Sequence, residues 1–257
     1  MSIPKIIHYC WYGCNELPEK EKRCIESWHK KLKGYKFILW NENNSNLNEC
    51  NYVRQAYDNK QYAFVSDYFR VKVLYEFGGI YLDTDVELIK DFDHLLKEKA
   101  FLGFENRTTV GTAVMACESG ADFVKQMVDY YETHNFVDDN GHLDITANVA
   151  LLNVILESKG MKRINAPQLI GNIRILERNV LYPKKKEEDC FLLGDETISI
   201  HHMNVSWLTE RQKRRGRNKL WLLCFRPVLR KMLRFLNIIL GKQTSRSIET
   251  YVRNKLR

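Results

Sequence analysis

Asp83 and Asp85 stand two residues apart at the end of the apolar stretch Ile80-Tyr81-Leu82. On a straight strand these two carboxylates would face opposite ways. A turn at Thr84 would bring them together. Two converging carboxylates form a hard oxygen site that suits Mn²⁺ or Mg²⁺ and leaves positions for phosphate oxygens. Ser66, Asp67 and Arg70 precede them on a predicted helix. Asp67 and Arg70 are three apart and share a helix face. Gly78-Gly79 then reverses the chain into the strand. A second constellation, His201, His202, Ser206 and Trp207, lies near the C-terminal third. Neighbouring strand residues point to opposite faces, so one histidine of the pair is expected at the site. Asp144, Thr146 and Asn148 form a polar cluster that serves a ligand or caps a helix at Asp144. Glu105 follows a predicted strand and is placed to face the same cleft.

Strands alternating with helices must position these groups. Strands are predicted over 5–11, 35–40, 80–82, 101–105 and 112–117. Helices are predicted over 18–32, 51–59 and 62–77, from Ser119 as N-cap through Tyr131, and over 145–159. The alternation specifies an α/β fold with a largely parallel or mixed sheet.

The run SDYFRVKVLYEFGGIYLDTDVE (66–87) resembles the signature of DxD sugar transferases of the capsular-polysaccharide and yeast mannosyltransferase type, with the clostridial glucosylating toxins as distant relatives. IPKIIHYCWYG resembles the opening strand of that family, CIESWHKKLKGYKFILWNE its next helix and strand, and ISIHHMNVSW its closing element. The resemblance spans about residues 3–207. It implies a GT-A fold, a Rossmann-like mixed sheet flanked by helices, in a domain over 1–207. It also implies a divalent metal, a nucleotide-sugar donor and retention of anomeric configuration. By it, Asp85 holds the metal, with Asp83 acting directly or through water or the ribose, and His202 joins them. Asp67 and Arg70 hold the donor sugar, Arg70 also offering its fork to the diphosphate. His8 with Tyr9 or Trp11 meets the base. Ser66, Gly78, Gly79, Tyr81, Asp144, Asn148, Ser206 and Trp207 complete the substrate contacts.

The chain has 257 residues, with 44% hydrophobic and 28% charged, an ordinary globular balance. Its net charge of +8 is unevenly spread. From Leu208 on, 15 Lys/Arg meet two acids, Glu210 and Glu249, whereas 1–207 holds 25 Lys/Arg and 30 Asp/Glu. The body is therefore mildly acidic and carries a basic tail over 208–257. In that tail KLWLLCFRPVLRKMLRFLNIIL interleaves apolar and basic residues, a pattern suited to an anionic membrane surface. Packing on the body and nucleic-acid binding are the competing readings; nucleic acid is the less favoured. Seven cysteines without a paired framework fit a reducing compartment. The opening MSIPKIIHYCWYG has no basic segment followed by a long apolar run, so no signal peptide is expected.

Together these readings specify a retaining hexosyltransferase in bacterial surface polysaccharide synthesis, using a UDP-sugar such as UDP-galactose in preference to a GDP-sugar. Its acceptor would be a glycan or lipid-linked oligosaccharide at the cytoplasmic face of the inner membrane. A nucleotidyl- or phosphotransferase would want a third carboxylate for two metals, and none has matching spacing. A non-enzymatic basic binding protein fits the acidic body poorly.

Overall fold

The computed structural model describes residues 2–187 and 190–203. Ser206, Trp207 and the tail over 208–257 lie outside the described residues.

The elements run β1 (Ile6–Cys10), α1 (Glu19–Lys31), β2 (Lys36–Trp40), α2 (Asn51–Asp58), α3 (Tyr62–Phe77), β3 (Gly79–Leu82), β4 (Val86–Leu88), β5 (Ala100–Gly103) and β6 (Val114–Cys117). They continue with α4 (Asp122–Thr133), α5 (Asn148–Ser158), β7 (Gln168–Ile170), β8 (Ile173–Leu176), α6 (Arg178–Leu181), β9 (Lys185–Glu187), β10 (Cys190–Phe191) and β11 (Ser199–His201). Seven strands form one sheet in the order β2-β1-β3-β6-β5-β8-β7. β1 runs parallel to β2 and β3, and β5 parallel to β8, while β6 and β7 run antiparallel to their neighbours. This is the mixed sheet with flanking helices expected from the sequence. No helix among the described residues is long and apolar enough to cross a membrane.

The sheet separates two cores. α2, α3, α4 and α5 cover one face, where Tyr52, Val65, Phe69, Leu74, Tyr131 and Leu152 are buried. α1 and β4 cover the other, with Ile7, Trp28, Ile80, Leu82, Val86 and Phe101. The cores explain the two kinds of helix. α1 shows one apolar stripe, Cys24, Trp28 and Leu32, because its other side meets water. α3 has buried residues all round, Val65, Tyr68, Phe69, Arg70, Val71, Val73 and Leu74, because sheet and helices enclose it. α1 also fixes β4: the Trp28 indole N–H donates to the Val86 carbonyl at 2.6 Å, and Ser27 Oγ accepts from Leu88 N–H at 2.8 Å.

The double glycine is a steric requirement. Gly78 and Gly79 have φ of +62° and +104°. A Cβ on Gly78 would stand 2.6 Å from the Ser119 nitrogen, and one on Gly79 would stand 2.7 Å from the Ile6 carbonyl oxygen. These glycines shape the turn rather than contact a substrate. The helix predicted from Ser119 begins instead at Asp122, because Gly120, at φ +74°, turns the chain first and donates its N–H to the Tyr75 carbonyl.

His8 is also redirected. It is fully buried, and its Nε2–H donates to the Gly78 carbonyl at 2.9 Å while Nδ1 accepts from the Trp40 indole at 3.1 Å. Nδ1 must stay unprotonated to accept that bond, and burial lowers the pKa to about 4. His8 therefore bolts β1 to the glycine turn and is closed to a nucleotide base.

That bolt predicts acid sensitivity. A neutral buried histidine stabilises the fold fully above its unfolded pKa of about 6.5, and the contribution falls as pH drops toward 4. The shift corresponds to roughly 3 kcal/mol. His8→Gln retains a donor for Gly78 but cannot titrate. Melting curves from pH 7 to 4 should therefore show a shallower fall for His8→Gln than for the native chain.

Candidate active site

The carboxyl ends of β1, β3 and β5 point the same way, and the groups singled out in the sequence gather there, as ligand sites do in open α/β sheets. Asp83 continues β3, its N–H donating to the Ala113 carbonyl at 2.9 Å. The chain then turns, with Val86 N–H donating to the Asp83 carbonyl at 3.0 Å. This is the turn expected at Thr84, and it makes the two carboxylates converge.

β4 pairs antiparallel with β11, and the register sets His201 opposite Val86. His201 Nε2 thereby comes within 3.3 Å of Asp85 Oδ1. His202 faces away, with Nε2 2.9 Å from Glu87 Oε2 and its ring edge-on to Phe191. The histidine at the carboxylates is thus His201 and not the favoured His202. Alternation along the strand was the right rule, but only the pairing register states which of two neighbours faces in.

One donor atom each from Asp83, Asp85 and His201 lie within 4.8 Å of one another. Ligands on opposite sides of one Mg²⁺ stand about 4.2 Å apart, twice its ligand distance, so small side-chain shifts would close this set on a single ion. Two carboxylates and one imidazole are also donors that Mn²⁺ accepts. The residues present fit a divalent ion. Burial opposes protonation of His201, but Asp85, Asp83 and Glu105 together hold its pKa above the ordinary value.

Arg70 organises the other side. Only 6% exposed, it sends one guanidinium nitrogen to Asp83 at 2.8 Å and toward Asp67 at 3.4 Å. Its other terminal nitrogen donates to the Thr112 carbonyl at 3.0 Å and hydroxyl at 2.8 Å. The guanidinium lies 4.6 Å from the Tyr81 ring centre. Tyr81 is buried beneath it, so it supports Arg70 rather than touching a substrate. Both terminal nitrogens are engaged by the protein, which redirects Arg70 from the expected diphosphate fork to a positioning role for Asp83.

Asn148 extends this network. Its side-chain carbonyl accepts from the Thr112 hydroxyl at 2.8 Å, and its buried Nδ2 has no hydrogen-bond partner. Its backbone N–H faces the Asp67 carboxylate and favours the charged form. α5 begins at Asn148, and Asp144 instead accepts from the Tyr130 hydroxyl at 3.0 Å and Thr146 N–H at 2.9 Å. Burial, with Asp83 nearby, raises the Asp67 pKa to about 6 against the opposing pull of Arg70.

The remaining expected residues are spread out. Ser66 donates to the Tyr62 carbonyl of its own helix at 3.1 Å. Tyr9 packs edge-on against Trp28. Trp11 is half-buried just past β1, its indole N–H donating to the Asn15 carbonyl at 2.7 Å, so its ring remains a candidate for stacking on a base. Thr112 was missed by sequence reading, since a threonine between loop and strand gives no signal of its own.

Residues 18–102 match the family model of the glycosyltransferase sugar-binding region containing the DXD motif. Two D-x-D tripeptides fall in the matched segment: Asp83 and Asp85, which converge with His201, and Asp91 and Asp93, of which Asp93 accepts from Lys5 at 2.8 Å and Tyr35 at 2.7 Å. The chain is 33% identical over 135 residues to inositol phosphoceramide mannosyltransferase 3 of Schizosaccharomyces pombe, covering 49% of this chain and 36% of that protein. It is 27% identical over 186 residues to mannosyl phosphorylinositol ceramide synthase CSH1 of Saccharomyces cerevisiae, covering 68% of this chain and 47% of that protein. The chain spans less than half the length of both. Among solved structures, PaToxG glycosyltransferase aligns with a TM-score of 0.40 at 20% identity, over 49% of this chain and 59% of that one.

Two substitutions separate the roles around Arg70. Arg70→Met leaves Asp67 and Asp83 without their buried counter-charge and should destabilise the fold by about 3–5 kcal/mol, read as a large drop in chemical-denaturation midpoint. Asp67→Asn works oppositely. A carboxylate whose folded pKa is raised from 3.8 to about 6 costs the fold stability above that range. The variant should melt higher at pH 7, by up to about 3 kcal/mol, with the gain vanishing toward pH 4. If Asp67 holds the substrate, turnover should still fall at least about tenfold, or about 1.4 kcal/mol.

Proposed function

We propose that the chain transfers a hexosyl group from a nucleotide sugar to a hydroxyl acceptor, with the site at Asp83, Asp85 and His201. The observation that carries this reading is the convergence of those three side chains, two of which, Asp83 and Asp85, lie in the segment that matches the DXD sugar-binding region. A divalent ion held by them would offset the negative charge that builds on a departing nucleoside diphosphate. Around it, Arg70 fixes the rotamer of Asp83, and Trp11 offers a flat face at the carboxyl end of β1 for the base. Asp67 and the unpartnered Asn148 amide line the Arg70 side, where acceptors and donors suit sugar hydroxyls.

Two donor classes are supported by different observations. The resemblance to capsular transferases favours a UDP-hexose. The two yeast relatives are named as mannosyl transferring enzymes, which favours a mannosyl donor. Those names also support testing a phosphoinositol lipid head group as acceptor, beside glycans and lipid-linked oligosaccharides. The alternating apolar and basic residues over 219–240 support a tail that brings the chain to an anionic membrane surface, where such acceptors reside. A bacterial surface-polysaccharide role at the cytoplasmic face of the inner membrane follows from the same resemblance, as does retention of configuration.

A donor screen tests the reading. Full-length protein with Mn²⁺ should release nucleoside diphosphate from one of UDP-glucose, UDP-galactose or GDP-mannose. Asp85→Asn should abolish that release, because a neutral amide offsets a divalent charge poorly. Release that persists in Asp85→Asn, or in excess EDTA, would defeat the site. The anomeric proton coupling of the product reads retention directly.

A further inference from the structure

His201 is held on three sides. Its Nε2 faces Asp85 at 3.3 Å, its ring meets Tyr182 edge-on at 5.9 Å, and its Nδ1 faces Glu105 Oε1 at 3.9 Å. Nδ1 is buried and has no hydrogen-bond partner. Tyr182 is itself fixed, its hydroxyl accepting from Val114 N–H at 2.8 Å.

Glu105 is placed by a tight loop. Phe104 and Val110 form an isolated antiparallel bridge, and Glu105 N–H donates to the Thr109 carbonyl at 2.8 Å. Gly111 allows the close fit. A Cβ there would stand 2.9 Å from the Tyr182 hydroxyl and 3.0 Å from Glu105 Cβ. Glu105 and Tyr182 thus pack over the same glycine, and both reach His201.

A neutral imidazole offers a lone pair on one nitrogen and keeps a proton on the other. Nε2 is the nitrogen on the side of the carboxylate pair. If it ligates an ion, Nδ1 must carry the proton, and a buried N–H needs an acceptor. We propose that Glu105 is that acceptor, a positioning residue that takes the His201 Nδ1–H and fixes Nε2 toward Asp83 and Asp85. A side-chain rotation of about 1 Å would close the 3.9 Å gap to hydrogen-bond distance. The inference rests on the metal site proposed above.

The test is the affinity of the full-length protein for Mn²⁺ alone, by calorimetry at fixed pH without nucleotide. Glu105→Met keeps the side-chain bulk but removes the acceptor, and should weaken binding about 10- to 100-fold. Glu105→Gln keeps an acceptor oxygen without the charge, and should lose measurably less. In the His201→Ala background, Glu105→Met should weaken Mn²⁺ binding no further. Wild-type affinity in Glu105→Met overturns the proposal. So does an added loss in the double variant, since Glu105 would then ligate the ion itself. Melting curves check folding; if Glu105→Met does not fold, wild-type affinity in Glu105→Ala overturns the proposal. Asp85→Asn separates the two levels. If that variant loses Mn²⁺ while Glu105→Met does not, only the role of Glu105 fails. If the native chain binds no Mn²⁺, or Asp85→Asn binds it unchanged, the metal site fails and the inference with it.

Discussion

A guanidinium removed from water must be neutralised and hydrogen-bonded where it lies. Arg70 meets it through its two terminal nitrogens, its buried Nε alone being left without a partner, and much of the site follows from how. Asp83 and Asp67 supply the charge, and Thr112 supplies the further acceptors. These partners come from three places in the chain: α3, the turn after β3 and the segment before β6. Through Thr112 and Asp67 the network reaches Asn148 at the start of α5. One buried charge therefore fixes the spacing of a helix, a turn, a loop and a second helix around the carboxylate pair.

The same arrangement sets the electrostatics of the cleft. Arg70 neutralises part of the charge of Asp67 and Asp83, while Asp85 and Glu105 add negative charge on the His201 side. The result is a partly buried anionic cluster with one imidazole. Such a cluster is costly by itself, because like charges in a poorly hydrated cleft raise one another's proton affinity. Asp67 shows it: burial, with Asp83 nearby, raises its pKa, while the carboxylates around His201 favour the protonated imidazole.

The scaffold around the site is conventional in its physics. α1 presents one apolar stripe and ties β4 through Trp28 and Ser27. That tie matters because β4 carries the strand pairing that delivers His201. On the other face, α3 is enclosed by the sheet and its neighbouring helices, so Arg70 has nowhere to extend except toward Asp83 and Thr112. The buried His8 closes the start of β3 against β1.

Local chemistry was legible in the sequence. The helix over 62–77 has its predicted ends because Gly78 stops it. The strand before Asp83, the turn at Thr84 and the convergence of the carboxylates follow from short-range patterns. Mixed-sheet architecture followed from alternating periodicities. What the sequence left open depends on neighbours distant along the chain. Which of His201 and His202 faces the carboxylates is set by pairing with β4, more than a hundred residues earlier. The burial of His8, Tyr81 and Arg70 is set by packing across the sheet. A side chain's type and spacing determine what chemistry it can do. Its exposure, its partners and the direction it faces are decided by strand register and by the elements that close over it, and those come only with the tertiary structure.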